Sequence, residues 1–386
     1  MPVCIKGILH LNNTKPRRLP AERSQQLTKL LTISKTATMS AVMAPAELAR
    51  IIAVVCRDIG KAAELASAFP TLWSEISTQS EYYALRPEWF ATPARSMSNY
   101  DLVDLLKFGE SLDDDFSIYL KCLTELHKRR RKYSLILQRQ PLPTIIQVSP
   151  RALMEYGPDF PPEALASWLT WRKFFYDLDN RSAQETGYLF EPILAAAIGG
   201  EPKSASEKVV CRAGDNAKGR QVDCWKVLPD GTALAYELKL RITIAASGQG
   251  RFSEELSFAE DCQKSGAKPV LVVLDPTAND KLTEIQSVFL QQGGKAYIGD
   301  DAWSHLEDEA GPTMAAFIER YVRRPLGEIS AFEAAIANDP SRRGLVLLDL
   351  AAKLNGTELS ISLGDHERKI QRDEDPSLAG TEPTDE

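Results

Sequence analysis

The chain has 386 residues, with 46 Lys and Arg against 53 Asp and Glu, and a formal net charge of −7. At roughly 100–200 residues per domain, this length predicts two or three domains with a sizeable buried core. Hydrophobic residues make up 44% of the chain and charged residues 26%, which is typical of a globular protein, and the sequence has no run of about 18 apolar residues that a membrane helix needs. The small negative net charge is an average over the whole chain, so it does not exclude nucleic acid as a partner.

Cysteine and histidine usage narrows the chemistry. The six cysteines include no CxxC pair, so we expect reduced thiols and a cytoplasmic location. The four histidines lie far apart without an HExxH motif, which removes support for a zinc hydrolase or a zinc finger. The sequence also lacks the glycine-rich P-loop and the serine nucleophile elbow. Carboxylates and lysines are therefore the candidates for catalysis.

The first part of the chain is basic and then helical. Residues 1–38 carry seven Lys and Arg and one acid, Glu22, and lack the apolar core of a signal peptide. They are interpreted either as a flexible extension or as sequence upstream of a start at Met39. Apolar residues then recur at helical spacing, which predicts a helical domain over 39–180. Within it, residues 121–139 hold seven Lys and Arg and one acid, which indicates a nucleic-acid surface or a solvated helix end.

From about residue 182 short strands alternate with helices. Helices are predicted over 184–198, 253–265 and 282–291, and strands over 208–212, 221–228, 233–242, 269–274 and 295–298. The order helix, three strands, helix, strand, helix, strand predicts a mixed α/β layer domain over 181–305. Residues 306–363 are predicted to be helical, and the acidic tail 364–386 is predicted to be disordered.

The second and third predicted strands carry the most informative residues. The turn Pro229–Gly231 joins them into a hairpin, and symmetric pairing about Asp230 sets Asp223 opposite Glu237. Glu237 and Lys239 lie two residues apart, so they share one face of their strand. Directly opposed residues have Cβ atoms about 4.5–5.5 Å apart, and two like charges at that distance destabilise a hairpin unless a cation compensates them. Mg²⁺ prefers such oxygen ligands, so the two carboxylates predict a metal site. The alternative interpretation is that Asp223, Glu237 and Lys239 form a solvated salt-bridge cluster on the surface.

These residues resemble a known family. Asp223, Glu237, Leu238 and Lys239 in this order, within the predicted element order, resemble the PD-(D/E)XK nuclease motif and its restriction-endonuclease-like core. The helix before the strands resembles the first core helix of that superfamily, which makes Glu191 a candidate additional metal ligand. The segment from Glu237 through Arg251 to Leu256 is similar to the type II restriction endonuclease branch. The residue before Asp223 is valine, where the motif has proline.

The resemblance implies a Mg²⁺-dependent type II site-specific deoxyribonuclease of a restriction-modification system, with Mn²⁺ as a substitute metal. Asp223, Glu237 and the carbonyl of Leu238 would hold the metal, and Lys239 would orient or deprotonate the attacking water. The cation would stabilise charge on the phosphate and lower the pKa of a bound water.

Charge and loop composition suggest where DNA is contacted. Residues 203–251 hold nine Lys and Arg against five acids, two of which are the proposed ligands. The glycine-rich segment 247–251 offers Gln249 and Arg251, which suit adenine and guanine in the major groove, and Arg241 would meet phosphate or the active-site acids. A palindromic site would pair two chains in a homodimer, and a cognate DNA methyltransferase is the expected genetic partner.

Three alternatives to a restriction enzyme remain open from the sequence, and one of them is an α/β protein of unrelated function in which Asp223, Glu237 and Lys239 are surface residues. The same fold in DNA repair, recombination or transposition would nick particular DNA structures rather than cut at fixed sequences. A non-catalytic module that binds DNA or protein would retain DNA in a salt-sensitive manner without metal-dependent turnover.

Overall fold

The computed structural model describes residues 21–32, 43–91, 101–143, 161–239, 249–275, 280–328, 350–355 and 357–373, with the backbone alone for 181–189 and 249–251. The chain divides into two compact units. The first comprises Met1–Ile33, Ala41–Lys128 and Gly187–Leu326, and the second comprises Ser34–Ser40, Arg129–Thr186 and Gly327–Glu386. The chain therefore leaves the first unit after residue 128 and returns to it at residue 187.

Helices form most of the chain before the sheet. They are α1 Ala21–Leu31, α2 Pro45–Asp58, α3 Ala62–Ala68, α4 Pro70–Ile76, α5 Pro87–Ala91, α6 Leu102–Leu112, α7 Phe116–Arg139 and α8 Pro162–Ala197. Helix α2 starts at a proline, whose fixed φ suits the first helical turn. Residues 46–56 of this helix are all buried, including Glu47 and Arg50, so α2 is the central helix of the layer. The helical character predicted for residues 39–180 is confirmed in the described part.

A five-stranded mixed sheet lies in the first unit. The strands after α8 are β1 Glu201–Lys203, β2 Cys211–Arg212, β3 Asp215–Gly219, β4 Val222–Val227, β5 Ala233–Lys239, β6 Lys268–Val273 and β7 Lys295–Ile298, with helices α9 Gln249–Lys264, α10 Asp280–Gln291 and α11 Asp300–Ile318. The sheet order is β1-β4-β5-β6-β7. Strands β1, β4 and β5 pair antiparallel, whereas β5, β6 and β7 pair parallel. The predicted mixed α/β sheet flanked by helices is confirmed.

The identity of the third antiparallel strand differs from the prediction. The strand expected over 208–212 is reduced to β2, which pairs with β3 in a separate two-stranded ribbon. The sheet is completed instead by β1, which pairs with β4 through an irregular register. Strand β1 has three residues with Pro202 in the middle, so it lacks an alternating pattern that predicts a strand. An edge strand tolerates proline because one of its sides needs no hydrogen bonds.

Both faces of the sheet are covered by apolar side chains. One face belongs to the same apolar cluster as the helical layer of α2 to α7, the end of α8, and α11; the strand residues in this cluster are Cys224, Leu234, Tyr236, Leu238, Val270 and Val272. The other face packs against α9 and α10, and Ala235, Leu271 and Val273 contribute to it. Burial on both faces explains why β6 is a nearly continuous apolar run rather than an alternating one.

The register of the β4–β5 hairpin is the predicted one. Cys224 pairs with Tyr236, and the following pairs down to Val227 with Ala233 are symmetric about Asp230. At the turn, Asp230 Oδ1 accepts a hydrogen bond of 2.9 Å from the Thr232 amide. Continuing this register by one residue places Asp223 opposite Glu237.

In the second unit, the C-terminal part of the chain is a sheet and not a helix. Strands β8 Leu350–Asn355, β9 Glu358–Leu363 and β10 His366–Gln371 form an antiparallel meander in the order β10-β9-β8. The helix predicted up to residue 363 and the disorder predicted from residue 364 are therefore wrong over 350–355 and 357–371. Leu359 and Ile370 are buried against Phe174 and Leu178 of α8, so packing with a distant helix stabilises strands that have few apolar residues.

No helix in the described part of the chain is both long enough and apolar enough to span a membrane.

Candidate active site

The site lies at the carboxyl end of β5, on the sheet face that α9 and α10 cover. Residues opposite one another in antiparallel strands point to the same face, so Asp223 shares the face of Glu237 and Lys239. Lys239 ends β5, and its carbonyl accepts a 2.9 Å hydrogen bond from the Leu274 amide just after β6. The sheet thus fixes the backbone of all three residues.

Asp223 is partly buried beside other carboxylates. Its Oδ2 atom accepts a hydrogen bond of 3.0 Å from the Leu238 amide. Burial raises the pKa of Asp223 well above its ordinary value, and the negative charges of Glu237 and Glu191 raise it further. The Leu238 hydrogen bond and Lys239 only partly offset these effects. The site therefore holds more negative charge than its own cation neutralises.

Lys239 is the cation of this site. Its Nζ atom lies 2.8 Å from Glu237 Oε1 and 3.2 Å from Glu255 Oε1. Burial by itself would lower the pKa of Lys239, but the carboxylates of Glu237 and Glu255 outweigh burial and raise it. Lys239 is therefore charged at neutral pH and donates hydrogen bonds.

Glu191, near the end of α8, approaches the same group of charges. Burial raises its pKa to about 7, Glu237 contributes to this increase, and Lys239 opposes it. The electrostatic interaction shows that Glu191 lies close to the predicted catalytic residues. In the described part of the chain, however, no set of three or more Asp, Glu, His or Cys side chains is arranged to hold a metal ion.

Comparison with known proteins decides the family. The chain matches the family described as ApaLI-like restriction endonuclease over residues 53–323. It is also 70% identical over 366 residues to the type II restriction enzyme ApaLI of Acetobacter pasteurianus, with 95% of this chain and 98% of that enzyme covered. The chain belongs to the ApaLI-like restriction endonuclease family. No solved structure matches it significantly.

Membership of the ApaLI-like restriction endonuclease family confirms several predictions. The resemblance to type II restriction endonucleases, the restriction-endonuclease-like fold class and the class of enzyme, an endodeoxyribonuclease, are confirmed. Enzymes of this type act on DNA and generally need a divalent metal. The match starts at residue 53 and ends at residue 323, so it includes helices on both sides of the predicted nuclease core.

The predicted DNA contacts of this ApaLI-like endonuclease are only partly described. Arg241 lies outside the described residues. Gln249 and Arg251 belong to the first turn of α9, where the sequence predicted a loop, and their side chains lie outside the description. These three residues stay predictions.

Glu255 is a residue of the site that the sequence analysis did not assign. It lies in the second turn of α9, and its side chain is 19% exposed. A sequence pattern could have pointed to Glu255, because this residue lies on the apolar stripe of an amphipathic helix. The apolar members of that stripe are Phe258, Ala259 and Cys262, at i+3, i+4 and i+7 from Glu255. A carboxylate on such a stripe predicts a buried partner, which the structure identifies as Lys239.

Proposed function

We propose that Asp223, Glu237 and Lys239 form the centre at which this endonuclease hydrolyses DNA phosphodiester bonds. The geometry that supports the proposal is that of the hairpin, in which Asp223 Oδ2 accepts a 3.0 Å hydrogen bond from the Leu238 amide and the Lys239 ammonium lies 2.8 Å from Glu237 Oε1. Two carboxylates and a lysine on rigid strands have the composition that metal-assisted phosphodiester hydrolysis requires.

The donor set fits Mg²⁺. Asp223 and Glu237 supply two carboxylates, and Mg²⁺ is commonly held by one or two carboxylates together with water and phosphate oxygens. The Leu238 amide points to Asp223, and the amide and carbonyl of a strand residue face the same neighbour, so the Leu238 carbonyl is the third proposed ligand. The raised pKa of Asp223, caused first by burial and then by Glu237 and Glu191, reflects negative charge that a cation would offset. Mn²⁺ has similar ligand preferences and is the proposed substitute.

The protein residues have distinct proposed roles. A bound Mg²⁺ would supply Lewis-acid stabilisation of the negative charge on the phosphate and lower the pKa of the attacking water. Asp223 and Glu237 would hold the cation at the end of β5. The carboxylates around Lys239 raise its pKa despite burial, so Lys239 is proposed to donate hydrogen bonds that orient the attacking water or the phosphate; helping to deprotonate that water is its second proposed role. Glu191 is proposed as an additional metal ligand, which would bind the metal either directly or through a water molecule.

The partners follow from the family and from the predicted contacts. Double-stranded DNA would approach the carboxyl end of β5, with Arg241 on phosphate and with Gln249 and Arg251 on bases. A palindromic site would be read by a homodimer, and a methyltransferase of the same specificity would protect the host DNA. Among the described residues, Cys56, Cys122, Cys211, Cys224 and Cys262 form no disulfide, and a cytoplasmic location is part of the proposal.

Plasmid cleavage tests the proposed centre. With Mg²⁺ present, wild-type enzyme is expected to give discrete fragments, and EDTA to abolish them. Asp223→Asn and Lys239→Ala are expected to lower the cleavage rate by at least about 100-fold, because each removes a group that stabilises the transition state. Sequencing the fragment ends then reports the recognition site and the position of the cut.

Two matched variants control for the substitutions themselves. Asp230→Asn changes an aspartate in the turn of the same hairpin, and Lys268→Ala changes an exposed lysine at the opposite end of the sheet. Both are expected to cut at the wild-type rate. Wild-type cutting by Asp223→Asn or Lys239→Ala would overturn the assignment of the centre.

A further inference from the structure

A second carboxylate, Glu255, holds the lysine of the proposed centre. Glu255 Oε1 lies 3.2 Å from Lys239 Nζ, and Oε1 of the strand residue Glu237 lies 2.8 Å from the same nitrogen. The Glu255 Oε2 atom is buried and has no hydrogen-bond partner among the described residues. An ammonium group has three donors, so these two contacts leave one donor for another oxygen.

The topology of the chain explains how a helix residue reaches the end of β5. Strands β5 and β6 are parallel neighbours, and α9 is the crossover that connects them. A crossover helix begins beside the carboxyl end of the strand that it follows. The second turn of α9 therefore lies next to Lys239, the last residue of β5.

Helix α9 is fixed from its other side by the β2–β3 ribbon and the segment that follows it. Arg220 donates to Asp261 Oδ2 at 2.5 Å and to Ser257 Oγ at 2.9 Å, and also to the Glu254 carbonyl. The Ala213 amide donates to Asp261 Oδ1 at 2.6 Å, and Arg212 forms two hydrogen bonds with the Glu254 carboxylate. These contacts restrict movement of the turn of α9 that carries Glu255.

We infer that Glu255 is a positioning residue for Lys239, and that α9, fixed by the ribbon, sets the orientation of the lysine during cleavage. The inference rests on the proposed function, because it takes Lys239 to act in the reaction. Glu237 is engaged by the metal in that proposal, which leaves Glu255 as the carboxylate that keeps Lys239 in place. Misplacement of a reacting group by about 1 Å costs up to about 100-fold in rate, so the loss of this contact is expected to slow the chemical step.

Single-turnover cleavage with excess enzyme, measured over a range of enzyme concentrations, tests this inference. Glu255→Gln removes the negative charge and retains the shape of the side chain. Its maximal rate is expected to fall by about 10- to 100-fold, while the enzyme concentration at half-maximal rate and the melting temperature stay near the wild-type values. A residue with only a structural role would instead alter the melting temperature and leave the maximal rate of the folded enzyme unchanged.

Glu260→Gln is the matched control. Glu260 lies on the same helix and also pairs with a lysine, Lys264 at 2.5 Å, but its side chain is 47% exposed and remote from Lys239. It is expected to cut at the wild-type rate. A Glu255→Gln enzyme that cuts within about twofold of wild type would overturn the inference, since the orientation of Lys239 would then not depend on that charge.

Two further variants keep the outcomes distinct. If Glu255→Gln melts below the assay temperature, Glu255→Asp is measured in its place, because it keeps the negative charge and has a shorter side chain. A folded Asp variant with a reduced maximal rate supports the inference, and one with the wild-type rate refutes it. Lys239→Ala is measured in parallel. Wild-type cutting by Lys239→Ala would refute the proposed function, whereas an inactive Lys239→Ala with a fully active Glu255→Gln would refute the role of Glu255 alone.

Discussion

Glu191 is a carboxylic acid with a pKa of about 7, caused first by burial and then by the charge of Glu237. It binds its proton more tightly in the folded chain than in the unfolded chain. Its contribution to stability is therefore complete below its ordinary pKa of 4.5 and is lost as the pH rises through about 7. The metal-free enzyme thus loses stability through this residue between about pH 4.5 and about pH 7, and a cation that offsets the charge would restore it.

Replacement of Glu191 by Gln tests this pH dependence. We expect the fall in the unfolding free energy of metal-free enzyme between about pH 5 and about pH 8 to be smaller by about 1–2 kcal/mol in Glu191→Gln. This figure is reduced from the full shift because Glu191 is only half-buried and solvent screens its charge. Urea unfolding at the two pH values measures it, with Glu201→Gln, in the exposed strand β1, as the control. An equal pH dependence in wild type and Glu191→Gln would contradict the prediction.

Individual residues of the site were predictable where their positions follow from local geometry. Asp223, Glu237 and Lys239 lie within one hairpin, so a turn at Asp230 and the alternation of a strand were sufficient to bring them together. Glu255 joins Lys239 through a crossover helix, and this contact depends on how α9 packs on the sheet. The apolar stripe of α9 indicates that Glu255 faces the sheet, but a helical pattern alone does not identify Lys239 as its partner.

At the scale of elements, the β2–β3 ribbon and the residue that follows it, Arg220, form ion pairs with α9, and two of these pairs differ in burial. Arg220 and Asp261 are buried, with side chains 10% and 3% exposed, whereas Arg212 and Glu254 are 42% and 49% exposed. A buried charge that loses its partner stays desolvated, while an exposed charge regains water. The two pairs hold the same elements together, and only the buried pair is expected to matter for stability.

Arg220→Ala is expected to destabilise the protein by about 3–5 kcal/mol, since it leaves Asp261 buried without its cation. Arg212→Ala, which breaks the exposed pair, is expected to cost no more than about 1 kcal/mol. Urea unfolding of both variants provides the comparison. Equal losses of stability in the two variants would show that burial does not govern these pairs.

Several elements were not predictable because their stability comes from distant parts of the chain. Strand β1 is too short to show a pattern, and β10 contains Glu367, Arg368 and Lys369, which resemble a solvated tail. The meander nevertheless left a signal in the sequence, since Gly364-Asp365 is a typical hairpin turn, and Gly364 has a φ of 55°. This turn lies at the start of the segment whose acidic composition predicted disorder.

At the scale of the whole molecule, the sheet and the helical layer of the first unit share one apolar core. Tyr236 and Leu238 of β5 lie in the same buried cluster as Leu48, Ile51 and Ile52 of α2. The sequence predicted separate domains over 39–180 and 181–305, and these boundaries stay predictions. The shared core argues that the predicted nuclease core depends on the helices before it.

A fragment of residues 181–305 tests that dependence. It would expose the apolar sheet face whose core cluster includes residues of α2 to α7, so we expect it to lack a cooperative thermal transition and to be digested rapidly by protease. The full chain and a fragment of residues 21–326, which retains the helices, are the controls, and both are expected to melt cooperatively. Cooperative melting of 181–305 would show that the predicted domain is autonomous.

The first unit is made of segments that are far apart in the sequence, and this has a consequence for biosynthesis. The strands that carry Asp223 and Lys239 need the early helices for their packing, and the unit is closed by a segment that ends at Leu326. Contacts between residues so far apart in sequence form slowly, because a long loop must be closed before any contact stabilises it. On the ribosome, the emerging chain therefore has no finished catalytic centre until most of the polypeptide has been made. We expect a nascent or truncated endonuclease to be harmless to the DNA of the cell that synthesises it.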